Sequence, residues 1–162
     1  CLVGSLNNDE EKYYQYTCID ENSRYRYIEI FREKSTYSSK CFLLNCIKKM
    51  PFDIKCVQTD NGLEFTNQIV HPGAGPTLFE KELKRLGIQY KRIKPYTPRH
   101  NGKVERSHGK DQLYFYNGRT FFSLTDLETQ VARRMYEYNR FPMKPLGWLS
   151  PIEFLDNYNR TH

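Results

Sequence analysis

The chain has 162 residues and a formal net charge of +6, with a sequence pI of about 9.0. This length suits a single domain with a real hydrophobic core. The basic balance suits a polyanionic partner but does not demand one, since a basic surface is often only a soluble surface. No apolar run approaches the roughly 18 residues of a membrane span, and no signal peptide is visible.

Cysteine usage favours the interior of a cell. The five cysteines are odd in number and include no C-x-x-C pair, so neither a disulfide framework nor a zinc knuckle is indicated. Cys18 and Cys56 lie in strand-like runs, and Cys46 lies in a helical run. We therefore expect buried free thiols at these positions and a cytoplasmic protein.

The first half of the chain predicts a hairpin, a helix and a short strand. YYQYTCID (13–20) and RYRYIEIF (24–31) read as strands joined by the short segment ENS. A helix is predicted over 36–50, ending before Pro51, because apolar residues recur there every three or four positions. Its inner face comprises Phe42, Leu43, Cys46, Ile47 and Met50. IKCVQT (54–59) is then predicted as a strand covered by its neighbours.

The second half alternates between helices and one strand. TLFEKELKRLG (77–87) predicts a short helix closed by Gly87, and IQYKRI (88–93) predicts a strand. The inward residues of the short helix are Leu78, Phe79, Leu83 and Leu86. Further helices are predicted from Asn101 and after Ser123, and the tail PLGWLSPIEFL is predicted to dock as a cap. This order of elements indicates an α/β fold with a mixed sheet.

Two carboxylates stand at positions where a metal site is plausible. Asp60 ends the strand-like run 54–59 and is followed at once by an Asn-Gly turn, and Glu105 lies one turn into a predicted helix. A helix–strand return can bring the start of that helix back beside the strand end, where functional crevices form in open sheets. Two such carboxylates would repel each other unless a cation neutralised them, and Mg²⁺ suits oxygen ligands of this kind.

Each of these signals also has a purely structural interpretation. Asp60, Asn61 and Gly62 form a sequence that is typical of a simple turn. Glu105 on its own is typical of a solvated helix residue. His108 and Glu64 are further polar residues nearby, and neither is predicted to bind metal.

The sequence that flanks the two carboxylates distinguishes these interpretations. TDNGLEFTN, followed by LFEKELKRLGIQYKRIKPYTPRHNGKVERSH, resembles the retroviral-integrase-like catalytic core (DDE type) of insertion-sequence transposases. The resemblance extends to the hairpin IDENSRYRYIEIF and the tail YNRFPMKPLGWLSPIEFL. It implies a ribonuclease H-like mixed sheet flanked by helices. The gap between the two carboxylates is longer than is usual in the family, and the Pro/Gly loop 71–76 is expected to absorb the difference.

The resemblance also implies chemistry and partners. Its members cut and join DNA with three acidic residues and two divalent metal ions, Mg²⁺ or Mn²⁺. Asp60 corresponds to the second acidic residue and Glu105 to the third. The implied partners are transposon ends, target DNA and further copies of the chain, with no membrane, and the implied location is the cytoplasm of a prokaryotic cell, on the nucleoid when bound to DNA.

Four residues beside the carboxylates are expected to contact DNA. They are Asn61, Asn101, Lys103 and Arg106. Asn101 is also expected to cap the helix that carries Glu105. Lys103 and Arg106 flank that carboxylate, where they can reach phosphates or remain solvated helix charges.

The family's first acidic residue lies on a first strand, upstream of the hairpin. The chain opens CLVGSLNNDEEKYY, which looks like the turn leading into the second strand. We therefore expect one domain over 1–162, truncated at its N-terminus and lacking that strand. Asp20 matches a structural turn residue rather than a substitute ligand. The alternatives left open are a non-catalytic remnant that binds DNA or partners without cutting, and a ribonuclease H.

Overall fold

The computed structural model describes residues 2–3, 12–68, 70–71, 73–93 and 102–161. The strands are β1 (Leu2–Val3), β2 (Tyr13–Ile19), β3 (Arg26–Phe31), β4 (Cys56–Thr59) and β5 (Gln89–Arg92). The helices are α1 (Thr36–Lys49), α2 (Leu78–Arg85), α3 (Gly102–Asp111), α4 (Leu124–Arg140) and α5 (Pro151–Thr161). A π-helical turn (Gln112–Tyr116) extends α3, and a 3₁₀ turn (Lys144–Leu146) precedes α5.

The predicted hairpin forms the main sheet. β2 pairs antiparallel with β3 from Tyr14 opposite Phe31 to Ile19 opposite Arg26, and β1 adds a short antiparallel edge to the start of β2. The connecting turn is held by Asp20, whose Oδ2 accepts hydrogen bonds of 2.7 Å from both the backbone N–H and the hydroxyl of Ser23. Asp20 therefore has the structural turn role that the sequence predicts.

The second sheet contains β4 and β5, which run parallel with Cys56 opposite Gln89 and Thr59 opposite Arg92. The prediction of a covered strand over 54–59 is wrong in its burial, because Cys56 and Gln58 are exposed. Within the described residues β4 is hydrogen-bonded on one edge alone. Its other edge faces an open cleft, so the expected buried thiol at Cys56 is absent.

The helices cover both faces of the hairpin because residues alternate along its strands. Ile28 and Ile30 of β3 pack towards α4, where Leu127 and Val131 complete a buried cluster. Residues of the opposite face pack on α1 in a second cluster, built on Tyr16, Phe42 and Cys46. A third cluster joins α1 to α2 through Leu43, Phe79 and Leu83.

Two predicted inward residues face outward. Leu78 is 41% exposed and Ile47 is 37% exposed. The reason at Leu78 is a capping box, in which Thr77 Oγ1 accepts from Glu80 N while Glu80 Oε2 accepts from Thr77 N. Thr77 Oγ1 also donates to the Phe65 carbonyl at 2.8 Å, so this cap points inward and the first helical residue points out.

The C-terminal tail docks as predicted, although its tryptophan does not. Leu146 is the buried residue of the 3₁₀ turn, whereas Trp148 is 68% exposed and has a φ of 68°. α5 packs against α4. None of the helices in the described part of the chain has the length and apolar character needed to cross a bilayer.

Candidate active site

Asp60 lies where β4 ends, in a turn made by its own side chain. Asp60 Oδ1 accepts a 3.0 Å hydrogen bond from the backbone N–H of Gly62. Asn61 Nδ2 donates to the Ile93 carbonyl at 2.9 Å and thereby ties the end of β4 to the end of β5. Asn61 thus has a structural bond, and its contact with DNA stays a prediction. Asp60 itself is exposed.

The loop after Asp60 is shaped by a second carboxylate. Glu64 is buried, and its Oε1 lies 3.0 Å from Lys34 Nζ. A Cβ atom at Gly62 would lie 2.5 Å from Glu64 Oε2, so any larger residue there must shift the end of the Glu64 side chain. Burial opposes the charge on Lys34, but the hydrogen bond and charge of Glu64, with a contribution from Asp60, raise the pKa of its ammonium.

Glu105 is exposed in the first turn of α3, with basic residues beside it. Lys103 Nζ donates to the carbonyl of Glu21 at 3.0 Å and forms an ion pair with the Glu21 carboxylate. Arg106 is exposed and, within the described residues, makes no hydrogen bond or ion pair. Asn101 lies outside the described residues, so its predicted capping and DNA contacts stay predictions.

Asp60 and Glu105 line the same cleft, which has a volume of about 720 Å³ and lies between the two sheets. Glu64 and Lys34 line it as well, so the cleft has a charged mouth. Its apolar lining comes from α1, α2 and the segment before β4, including Phe42, Cys46, Met50, Ile54 and Phe79. The structure therefore places the two predicted carboxylates along one cleft.

The walls of the cleft are strand edges. Among the described strands, β1 pairs with β2 at Tyr13 and Tyr14, and from Tyr16 to Ile19 β2 pairs with β3. β4 likewise pairs with β5 alone. Residues of both β2 and β4 line the cleft. Backbone groups on such edges need partners in water or in another strand.

His108 lines the cleft one turn after Glu105. Burial lowers the pKa of its imidazole to about 4, so the ring is neutral at pH 7. Its Nε2 is buried without a hydrogen-bond partner among the described residues. The histidine is therefore a neutral side chain behind the carboxylates.

The donor set fits a divalent ion only in part. Asp60 and Glu105 supply hard carboxylate oxygens, which Mg²⁺ and Mn²⁺ prefer. No group of three or more His, Cys, Asp or Glu side chains in the described ranges is placed to hold a metal ion. A pair of carboxylates leaves positions for water and phosphate oxygens, which is how Mg²⁺ is usually bound.

Sequence reasoning missed a buried ion pair behind α3. Arg26 Nη1 lies 2.7 Å from Asp111 Oδ2, and the two side chains are 1% and 0% exposed. Burial lowers the pKa of Arg26, and the charge of Asp111 opposes that shift. The signal was available: Arg26 is in phase with Ile28 and Ile30, the residues of β3 that face the core.

Two family comparisons decide the class of the chain. A family model described as "Integrase core domain" matches residues 2–98, and a second model with the same description matches residues 86–151. The chain belongs to the integrase core domain family. A putative integrase, ORF3 of Spiroplasma virus SpV1-C74, is 26% identical over 168 residues and covers 96% of this chain. This integrase core spans only 45% of that relative's length.

Solved structures show the fold of this integrase core. The integrase catalytic core of HTLV-2, in complex with magnesium, aligns with a TM-score of 0.64 and 16% identity, covering 95% of this chain and 91% of its own. The BIV integrase core aligns with a TM-score of 0.62 and 22% identity, covering 99% and 95%. Integrase in a simian T-cell lymphotropic virus intasome aligns with a TM-score of 0.61 and 19% identity, covering 80% and 43%. These likenesses confirm the predicted ribonuclease H-like fold.

Proposed function

We propose that this integrase core cleaves DNA phosphodiesters and transfers the resulting strands, with Asp60 and Glu105 holding the divalent metal ion that the reaction needs. One observation supports the proposal: Asp60 at the end of β4 and Glu105 at the start of α3 line the same cleft. They are far apart in sequence, and both are exposed to an incoming substrate. The family to which the chain belongs supports the same reaction class.

The proposed metal is Mg²⁺ or Mn²⁺. When bound, such ions stabilise the charge on the attacking and leaving oxygens of a phosphodiester. Asp60 is oriented for this task by the hydrogen bond that its Oδ1 accepts from Gly62, and the residue is exposed. Lys34 supplies a permanent positive charge close to the same loop. This charge limits the repulsion between the acidic side chains before metal binds.

Basic residues around the mouth are proposed to hold the DNA backbone. Arg106 and Lys103 flank Glu105 on α3, while Asn61 and Asn101 complete the proposed contacts. Lys103 would exchange its Glu21 partner for a phosphate, because both are oxygen anions at the same surface. We further propose that several copies assemble on transposon ends and target DNA, as the trimeric HTLV-2 core and the simian virus intasome are multi-subunit assemblies.

The open cleft is proposed to accept one further strand. β1 is antiparallel to β2, so a segment entering β1 from its N-terminal side would continue along Gln15 to Ile19. There it would lie between β2 and β4 and pair with both strands. That strand is where the resemblance places the first acidic ligand.

The test of function uses a longer chain that carries this additional strand. With Mg²⁺ or Mn²⁺ it should nick DNA and transfer strands, and Asp60→Asn or Glu105→Gln should each abolish both reactions without changing the melting temperature. Asp53→Asn is the matched control, since that carboxylate is exposed and lines the same cleft but is not a predicted ligand. Near-parental activity in either of the first two variants would remove that residue from the site.

The runner-up is a non-catalytic remnant that binds DNA without cutting it. Residues 1–162 alone should be inactive and prone to aggregate, because two strand edges line the cleft. The longer chain separates the two functions: nicking supports the enzyme, and DNA binding without nicking supports the remnant. A monomeric, cooperatively melting 1–162 that cleaves DNA would refute the need for another strand and make Asp20 the leading third ligand.

A further inference from the structure

The helix that carries Glu105 is held by polar contacts. The buried residues of α3 are Ser107 and Asp111, which lie one turn apart on its inner face. The helices α1, α2 and α4 bury apolar side chains as well as polar ones. Apolar contacts are non-directional, whereas hydrogen bonds fix angles as well as distances. The π-helical turn that extends α3 is anchored by the buried apolar residues Phe115 and Tyr116, whereas α3 itself is held to the sheet by directional bonds.

Arg26 of β3 makes the main bonds to that face. Its Nη1 donates to Ser107 Oγ at 2.6 Å and to Asp111 Oδ2 at 2.7 Å. Asp111 Oδ2 also accepts from Gln15 Nε2 of β2 at 3.1 Å. The inner face of α3 is therefore attached at two positions, Ser107 and Asp111, and it is bonded to both β2 and β3.

Arg26 is itself held by α4. The guanidinium carbon lies 3.9 Å from the ring centroid of Tyr138. The side-chain amide of Asn139 accepts from the Arg26 backbone N–H and donates to its carbonyl, both at 2.8 Å. Arg134 Nε approaches Asp111 Oδ1 at 3.6 Å. The Arg26–Asp111 pair thus lies where the sheet, α3 and α4 contact one another.

Stability alone is a weak reason for such a pair. A buried ion pair can often be replaced by apolar residues of similar volume with no loss of stability, because desolvation offsets the attraction between the charges. What apolar residues cannot replace is the angular restraint. A helix with its side chains has a radius of about 5–6 Å, so a rotation of about 20° moves a carboxylate by about 2 Å. Functional groups tolerate displacements of only about 0.5 Å.

We propose that Arg26 and Asp111 are positioning residues that fix the rotation and register of α3 and so hold Glu105 towards Asp60. The pair touches neither metal nor DNA and acts through α3. This inference rests on the proposed function, in which Glu105 binds metal.

The test compares two double variants of the longer chain that carries the additional strand. Arg26→Met with Asp111→Leu replaces the buried pair by apolar side chains. Arg133→Met with Glu137→Gln removes an exposed ion pair of α4, where the atoms lie 3.2 Å apart, and is the matched control. Mn²⁺ binding is measured by electron paramagnetic resonance, and thermal melting is measured alongside it. We expect the buried-pair variant to melt within a few degrees of the parent and to bind Mn²⁺ about ten- to a hundredfold more weakly.

A second measurement reads the position of α3 without metal. Spin labels introduced as non-natural amino acids at Lys55 and Lys110, both exposed, report the distance between the start of β4 and the end of α3. We expect a broader or shifted distance distribution in the buried-pair variant and an unchanged one in the control. An unchanged distribution, or parental Mn²⁺ affinity in the folded variant, would overturn the inference.

The two failures are distinguishable. If the parent binds no Mn²⁺, or if Asp60→Asn and Glu105→Gln leave its affinity unchanged, the proposed metal site fails. The distance measurement then decides on its own whether the pair positions α3.

Discussion

The two carboxylates of this integrase core are held in different ways. Asp60 is fixed by its immediate neighbours, through a 3.0 Å bond from Gly62 and the tie from Asn61 to Ile93. Glu105 is fixed indirectly, because its helix is attached through Asp111 to residues far away in sequence. The Asp60 side of the site is therefore specified by a short local motif, while the Glu105 side depends on the assembly of the whole domain.

The largest effect should come from removing one partner of the buried ion pair between Arg26 and Asp111. Asp111→Ala leaves the Arg26 guanidinium buried without its carboxylate, which should lower the free energy of unfolding by about 3–5 kcal/mol. Chemical denaturation measures this loss. The apolar pair Arg26→Met with Asp111→Leu should recover most of it. A single variant as stable as the parent would show that the pair is not buried as described.

The pH dependence of stability probes the same side of the site. Burial lowers the pKa of His108 to about 4 from an ordinary value of 6.5. Between pH 4 and 6.5 the unfolded chain therefore binds a proton at His108 that the folded chain does not bind. The free energy of unfolding consequently decreases as the pH falls from 6.5 towards 4. The loss attributable to this group is at most about 3 kcal/mol. His108→Gln should remove it, and equal pH profiles for parent and variant would contradict the assignment.

The local attachment of Asp60 should be broken by a single methyl group. Gly62→Ala places a Cβ about 2.5 Å from Glu64 Oε2 and must displace the buried carboxylate from Lys34. We expect a loss of about 1–3 kcal/mol in the free energy of unfolding. Adding Glu64→Ala should relieve the clash and recover part of the loss. If the double variant is no better than Gly62→Ala, then the clash is not the cause.

The smallest effect concerns DNA. Lys103→Ala with Arg106→Ala should weaken binding to unrelated duplexes alike and reduce the slope of log K against log salt by about 1.8, since each lost phosphate contact contributes about 0.9. Arg133→Ala with Arg160→Ala removes the same charge from α4 and α5 and should leave the slope unchanged. Equal slopes for the first variant and the parent would show that these two residues do not touch phosphate.

The turn around Asp60 could be predicted from the sequence, whereas the attachment of the helix that carries Glu105 could not. The motif around Asp60, the helix before Pro51 and the hairpin at 13–31 all depend on residues close in sequence. The attachment of α3 depends on Arg26, whose charge suggests solvent although its phase along β3 places it inside. The alternation along β3 would have identified Arg26 only if a buried arginine had been accepted. Its partner Asp111 lies 85 residues later in the sequence.

Burial was the weakest part of the prediction for a related reason. The apolar pattern of 54–59 predicted a strand, which is present, but its coverage depends on which strands pair with it. Cys56 is exposed because one edge of β4 opens onto the cleft. Likewise, the capping box of α2, rather than the apolar character of Leu78, decides which way that side chain points.

The most direct test of the central claim is a double-mutant cycle on Mn²⁺ binding. Affinity is measured for the parent, Asp60→Asn, Glu105→Gln and the double variant, with melting curves to confirm that each is folded. If both carboxylates hold one ion, each single substitution weakens binding about tenfold or more, and the double variant binds little worse than the weaker single variant. Losses that simply add, or affinities that do not change, would show that Asp60 and Glu105 do not share a metal ion.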